Sequence, residues 1–199
     1  MRVWSAALVG GIGLMLAMPA PAQRYSDSFS FLEAVKKGDG AKVTALISEP
    51  GSTVVNTRDP KTGDGALHIV ARDRNYDWLS FLLAKGAKPD LENAQGNTPL
   101  AIAAQLGWVE GAQLLISRGI DVNKTNNAGE TPLILAVHKR DLPMVRLLIG
   151  AGADPKRADS VAGYSALDYA RQDARAAAIV KLLEEGPSKP KREVSGPVF

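Results

Sequence analysis

The two histidines are the side chains of this 199-residue sequence best suited to acid–base chemistry or metal binding, because the sequence contains no cysteine. The only carboxylate at a helical ligand spacing from His138 is that of Asp141, three residues later in the sequence. One His–Asp pair is a weak metal signature, since metal sites ordinarily take three or four protein ligands. Serine, histidine and aspartate all occur, but no nucleophile-elbow glycines or phosphate-binding loop frame them. The sequence therefore predicts no catalytic residue, no metal site and no cofactor, and the chain is not expected to be an enzyme.

An internal repeat dominates the rest of the sequence. Its turn and first apolar run read GDGALHIVA at 63–71, GNTPLAIAA at 96–104, GETPLILAV at 129–137 and GYSALDYAR at 163–171. A leucine-containing segment ending in glycine follows each run, as FLLAKGA at 81–87, LLISRGI at 114–120, LLIGAGA at 147–153 and KLLEEGP at 181–187. A fixed period of this length is typical of solenoids, in which each repeat packs against its neighbours.

Each repeat begins with a turn and a helix start. Gly96 allows the positive-φ backbone of a tight turn, Thr98 can cap a helix with its hydroxyl, and Pro99 falls at the first helical position, where no N–H is needed. Residues 129–132 repeat the pattern. The sequence thus predicts one helix directly after each turn.

A second helix is predicted in every repeat. In the unit that begins at 91 it runs from about Val109 to Ser117, with residues 114–116 facing inward, and Gly119 ends it. The register places Trp78 and Tyr169 at inward positions. Trp108 follows the glycine between the two helices, where a half-exposed side chain that covers the edge of the core is expected.

A unit of turn, helix, helix and turn that carries T-P-L and a closing G-A-D resembles the ankyrin repeat. The resemblance covers about residues 29–186 and implies an all-α solenoid of about five helix-turn-helix units with short β-turn fingers. The units are 29–56, an amino-terminal capping unit, followed by 57–90, 91–123, 124–156 and 157–186. Two units depart from the pattern: Gly65 caps more weakly than threonine, whereas Ser165 still caps. In this family the histidine at the position of His68 is buried and bonds the backbone of a neighbouring turn.

The resemblance also implies a protein partner, bound on the concave surface that the turn tips and first helices form. The predicted contact residues are Lys61, Asp64, Arg72, Asp73, Gln95, Asn97, Gln105, Leu106, Asn127, Glu130, His138, Lys139 and Tyr164. Nucleic acid is not expected, because residues 23–186 carry twenty basic and twenty acidic side chains without a clustered basic stripe. The chain is expected to be a monomer.

The first 22 residues have the pattern of a secretory signal peptide: Arg2, an apolar stretch, and a small-residue cleavage site at Ala20–Ala22. Cleavage between Ala22 and Gln23 is predicted, which leaves no membrane segment in the mature form. A membrane anchor is the alternative, but the apolar stretch is short for a bilayer. The last segment, 187–199, is rich in proline and basic residues and is predicted to be a disordered tail.

Together these features predict an exported bacterial ankyrin-repeat protein that resides in the periplasm and binds a protein partner without catalysis. Two alternatives remain open. The first is a secreted effector that binds host or competitor proteins. The second is an accessory to a periplasmic enzyme such as a peroxide-detoxifying one, although the chain has no haem-binding motif. Fold alone does not decide among the three.

Overall fold

The structure, a computed structural model, describes residues 21–186, with side-chain surroundings from Asp27 onward. The predicted signal peptide lies almost wholly outside the described residues, and the predicted tail at 187–199 lies entirely outside them. Within 21–186 the chain forms ten α-helices: α1 Pro21–Lys37, α2 Gly40–Ser48, α3 Ala66–Arg72, α4 Tyr76–Ala84, α5 Pro99–Leu106, α6 Val109–Ile116, α7 Pro132–His138, α8 Leu142–Gly150, α9 Ala166–Gln172 and α10 Ala177–Glu185. None of these helices has the length and apolar character needed to cross a membrane.

The helices form two layers. The odd-numbered helices contact one another in sequence and form the first-helix layer, whereas α4, α6, α8 and α10 form the second-helix layer and α2 packs on α1. The segments between successive pairs project as turns, which we call fingers; the ladder pairs Arg58 with Gly65 and Ala158 with Ser165 close the first and last of them. The predicted all-α solenoid is confirmed.

The helix starts follow from the residues that the sequence analysis identified. Thr98 Oγ1 accepts a hydrogen bond from the backbone N–H of Ala101 at 3.2 Å, and Thr131 Oγ1 accepts one from Ile134 at 3.2 Å. Ser165 caps α9 in the same way. Because a helix start leaves backbone donors without partners inside the helix, each such cap contributes about 1 kcal/mol.

The core runs continuously between the two layers. Leu79, Leu115 and Leu148, one from each of three successive second helices, are fully buried. In the first-helix layer Ala104 and Ala136 are also fully buried. Small side chains at these positions let adjacent first helices approach closely. The predicted inward leucines are therefore confirmed, but the side chains on either side of Leu115 are only half-buried.

The prediction for Trp108 is wrong, whereas that for Trp78 is confirmed only in part, since Trp78 packs against the core without being fully buried. Trp108 was expected to be half exposed, yet only 6% of it is accessible to solvent. It lies against Gly111, where an added β-carbon would be 2.2 Å from the indole ring. The missing side chain of Gly111 thus makes the space that Trp108 fills. Trp78, predicted to be in the core, is half-buried and packs edge-on against Phe81.

Neighbouring units are also joined by a recurring asparagine contact. The Asn56 amide donates to the Gly86 carbonyl at 3.3 Å and accepts from the Lys88 N–H at 2.7 Å. Asn123 makes the same pair of hydrogen bonds to the unit that follows it. The repeat places Asp90 at the corresponding position between them, and its buried Oδ1 has no hydrogen-bond partner. A carboxylate cannot donate to a carbonyl, so this junction lacks one of the two bonds.

Candidate partner-binding face

Each finger is a tight turn held by one side-chain oxygen at its base. Asn93 Oδ1 accepts from the backbone N–H groups of Gln95 and Asn97 at 3.0 Å each. Asn126 does the same in the next finger. In the last finger Asp159 Oδ1 accepts from three successive N–H groups. Short side chains that bond their own backbone favour such turns, so each finger is shaped locally.

Backbone hydrogen bonds join the fingers into a row: Ala94 N–H to Thr62 O at 3.0 Å, Asn127 N–H to Gln95 O at 3.0 Å and Ser160 N–H to Ala128 O at 2.9 Å. Each residue whose carbonyl accepts one of these bonds is followed by a glycine, because the next finger leaves no room for a side chain there. A β-carbon on Gly129 would lie 2.4 Å from the backbone of the next finger, and its φ is +77°. Gly163, in the last finger, also has positive φ but faces open space.

His68 ties the first-helix layer to the neighbouring finger. Its side chain is fully buried; Nδ1 accepts from the Gly65 backbone N–H at 3.1 Å, and Nε2 lies 2.9 Å from the Asn97 carbonyl oxygen. Since Nδ1 accepts, the ring proton must be on Nε2, which donates to that carbonyl. Burial lowers the pKa of His68 below its ordinary value, which keeps the ring neutral. The predicted structural role of His68 is confirmed.

The structure places the thirteen predicted contact residues along one face, in two rows. The finger row contains Lys61, Asp64, Gln95, Asn97, Asn127, Glu130 and Tyr164, and the helix-end row contains Arg72, Asp73, Gln105, Leu106, His138 and Lys139. Nine are exposed, whereas Asn97, Leu106 and Glu130 are half-buried and Asp64 is buried. Leu106 packs against the core, so it offers less apolar surface than the sequence predicted.

Asp64 is occupied by bonds within the protein. Its carboxylate accepts from Arg72 at 2.5 Å and from the Asn93 amide at 2.9 Å. The next unit has an equivalent amide bond, in which Asn126 donates to the Asn97 side chain at 3.2 Å. These two bonds link the bases of the fingers that contain Asn93 and Asn126 to the finger before each.

Glu130 occupies the position that corresponds to Asp64 and faces a histidine instead of an arginine. Glu130 Oε2 accepts from the Asn126 amide at 2.8 Å, and Oε1 lies 3.8 Å from His138 Nε2. The contact is an ion pair only when the imidazole is protonated. Asp141, the carboxylate at helical spacing from His138 in the sequence, caps α8 by accepting from the Met144 N–H. Among the described residues no group of three or more His, Asp or Glu side chains could hold a metal ion.

Aromatic rings cluster at the carboxyl-terminal end of the face. The ring centroids of His138 and Tyr169 are 4.4 Å apart, and those of Tyr164 and Tyr169 are 5.5 Å apart with perpendicular planes. The Tyr169 hydroxyl donates to Asp159 Oδ2 at 2.5 Å. This hydrogen bond, with burial, raises the pKa of Tyr169 to about 12, and the same hydroxyl lowers the pKa of the Asp159 carboxyl.

Tyr169, predicted to point inward, packs against the core and also forms part of the face, which the sequence did not predict. Asn93, Asn126 and Asp159 were not predicted either, although they repeat every 33 residues. Two arginines were missed for another reason. Arg74 and Arg140 have positive φ where the intervening unit has Gly107, and each reaches the following unit, Arg74 through the Leu106 carbonyl and Arg140 through Asp173. Only the fold makes these contacts visible.

Comparison with known families matches two overlapping parts of the chain. A family model described as ankyrin repeats in three copies matches residues 31–126, and one described as ankyrin repeats in many copies matches residues 115–170. Both matched regions lie inside the solenoid described above.

Two curated relatives match shorter stretches. A transient receptor potential cation channel subfamily A member 1 homolog from Caenorhabditis elegans is 43% identical over 63 residues, 31% of this chain. The nuclear factor NF-kappa-B p110 subunit from Drosophila melanogaster is 38% identical over 52 residues, 26% of this chain. The match spans 5% of the length of each relative, so it concerns the repeats and not the whole of either protein.

The repeat period, the capped helix pairs, the stacked fingers and the family matches agree on one assignment. Ankyrin repeats are protein–protein interaction modules, and the chain belongs to the ankyrin-repeat family.

Proposed function

We propose that this protein is exported to the periplasm and binds a protein partner, without catalysis, through the concave face made by the finger row and the helix-end row. The observation that supports the proposal is the exposure of nine predicted contact residues in these two rows. The backbone bonds between fingers hold this face in a fixed shape, which reduces the entropy lost on binding. Mixed polar and charged side chains with exposed Tyr164 suit a folded protein surface.

Export rests on the sequence of residues 1–22. Terminal sequencing of protein recovered from periplasm and medium tests it directly, with Gln23 expected at the amino terminus of periplasmic protein. Recovery mainly from the medium would favour release from the cell, and Met1 on washed membranes would favour an anchor.

The face is tested by capture from periplasmic extract with matched variants. Gln105→Arg with Lys139→Glu changes two exposed residues of the helix-end row, and Gln113→Arg with Arg146→Glu makes similar changes on the second-helix layer. The first pair should reduce capture at least about tenfold, whereas the second should not, and both should keep the parent melting temperature within a few degrees. Loss of capture only in the second pair would place recognition on the opposite side of the solenoid.

A further inference from the structure

We infer that the carboxyl-terminal part of the concave face, formed by Glu130, His138, Tyr164 and Tyr169 and called the acidic–aromatic patch below, binds an arginine side chain of the protein partner. The inference rests on the proposed function, because it names the chemistry that the concave face recognises. Three observations carry it: an exposed tyrosine ring, a carboxylate at Glu130 that is not paired with a lysine or arginine of residues 27–186, and a missing side-chain hydrogen bond between two fingers.

The aromatic ring is that of Tyr164. It is 43% exposed, and Val161 in the same finger is 80% exposed. Large apolar side chains with this exposure are few among the described residues, and two of the four lie on this finger. Tyr164 stands edge-on to Tyr169, which is itself held by its bond to Asp159, so the aromatic surface is fixed before any partner arrives.

The charge is unbalanced in comparison with the other end of the face. There Asp64 pairs with Arg72 at 2.5 Å, and Asp59 lies 3.9 Å from Lys36. Within residues 27–186 neither Glu130 nor Asp159 has a lysine or arginine within 4 Å, and Glu130 has only His138. A partner that supplies a permanent cation would complete at Glu130 the kind of pair that Arg72 completes at Asp64.

The side-chain hydrogen bonds between fingers are interrupted at the same place, although the backbone bond from Ser160 N–H to the Ala128 carbonyl continues the row. Asn93 donates its amide to Asp64 and Asn126 donates to Asn97, each 29 residues earlier. The residue 29 positions after Glu130 is Asp159, whose side chain has no N–H to donate. At this junction the register therefore places a carboxylate where the other two junctions have an amide donor. A guanidinium has five donors in a planar arrangement and stacks on aromatic rings, which matches this combination of carboxylate and tyrosine better than an ammonium does.

The test is an NMR titration of the purified protein at about pH 8, where imidazole is ordinarily neutral, with acetyl-arginine methylamide as the probe. Acetyl-citrulline methylamide, which has the same shape without the charge, is the matched control probe. The arginine probe should shift the backbone amides of 129–131 and 163–165 and should bind at least about threefold more tightly than citrulline. Equal binding of the two probes, or shifts confined to Asp64 and Arg72, would overturn the inference.

Variants locate the site. Glu130→Gln and Tyr164→Ala should each weaken binding of the arginine probe at least about threefold, whereas Glu110→Gln, the same change at an exposed carboxylate of the second-helix layer, should leave it unchanged. If Glu130→Gln and Tyr164→Ala have no effect, the inference is wrong. If they fail to affect the probe while Gln105→Arg with Lys139→Glu still abolishes partner capture, the proposed function stands and only the arginine specificity falls. The ammonium analogue is acetyl-lysine methylamide, acetylated at its α-amino group. If it binds more tightly than the arginine probe, the patch recognises an ammonium and the inference of an arginine ligand is wrong.

Discussion

The two ends of the concave face use the same backbone positions for different purposes. In the unit at 57–90 the finger carboxylate of Asp64 is satisfied by Arg72 and Asn93, and it is buried. In the unit at 124–156 the corresponding Glu130 meets His138 and stays half-buried. The comparison teaches that position on the solenoid does not decide whether a residue is available to a partner. Availability depends on whether the protein itself already supplies the opposite charge and the hydrogen-bond donors.

A substitution that disrupts the packing between fingers, which both ends of the face share, should have the largest effect on stability. Gly129→Ala places a β-carbon 2.4 Å from the next finger at a residue with φ of +77°. We expect a loss of about 3 kcal/mol or more in the free energy of unfolding, because the clash adds to the backbone strain. Gly163→Ala is the matched control: it has the same strain but no neighbour, and should lose about 1 kcal/mol. Urea denaturation measures both, and equal losses would contradict the close packing of the fingers.

His68, which only the unit at 57–90 contains, should have the next largest effect. His68→Ala removes the acceptor of the Gly65 N–H and one of the two donors to the Asn97 carbonyl, which keeps its bond from the Asn93 N–H, and should cost about 2–3 kcal/mol at neutral pH.

The same residue should make stability depend on pH. The pKa of His68 is lowered in the folded state, so the unfolded chain binds the proton first as the pH falls. The contribution is fully present above about pH 6.5 and is lost below it, with a slope of up to about 1.4 kcal/mol per pH unit. Thermal unfolding across pH 5–7 should show this slope in the parent and in His138→Ala, but less of it in His68→Ala. A slope that survives in His68→Ala would assign it to another group.

Asp90→Asn should restore at this junction the inter-unit hydrogen bond that Asn56 and Asn123 make at theirs. The new amide can donate where Asp90 Oδ1 has no partner, and we expect a gain of about 1 kcal/mol at neutral pH. Burial raises the pKa of Asp90, so its charged form destabilises the fold above that pKa. The gain measured by urea denaturation should therefore shrink as the pH falls toward 4. A loss of stability would show that the carboxylate has a partner after all.

The smallest effect concerns the two charge pairs themselves. Double-mutant cycles with alanine should give a coupling energy of about 0.5–1 kcal/mol for Asp64 with Arg72, and less than about 0.5 kcal/mol for Glu130 with His138 at neutral pH. The first pair is closer and more buried, whereas the second needs a protonated imidazole. Couplings in the reverse order would contradict the inference that Glu130, unlike Asp64, is available to a partner.

The period, the number of helix pairs and the helix starts could all be predicted from the sequence alone. These features are local: the Thr98 hydroxyl bonds a backbone N–H three residues away, and Pro99 needs no partner at all. Burial of Leu115 and Leu148 also followed from the register, since one face of each helix must meet the next unit. The two rows of the concave face followed from the same register.

Which side chains on that face are in contact could not be predicted, because the contacts depend on how the units pack together. His138 contacts Glu130 and Tyr169 and not Asp141, and Trp108 is buried because Gly111, in the next helix, leaves room for its ring. These contacts involve side chains from adjacent helices and from units about 30 residues apart in the sequence. The sizes of those side chains set the available space, and their donors and acceptors set the available hydrogen bonds. A repeat pattern fixes the positions, but the energy of each contact belongs to the pair of residues that occupies them.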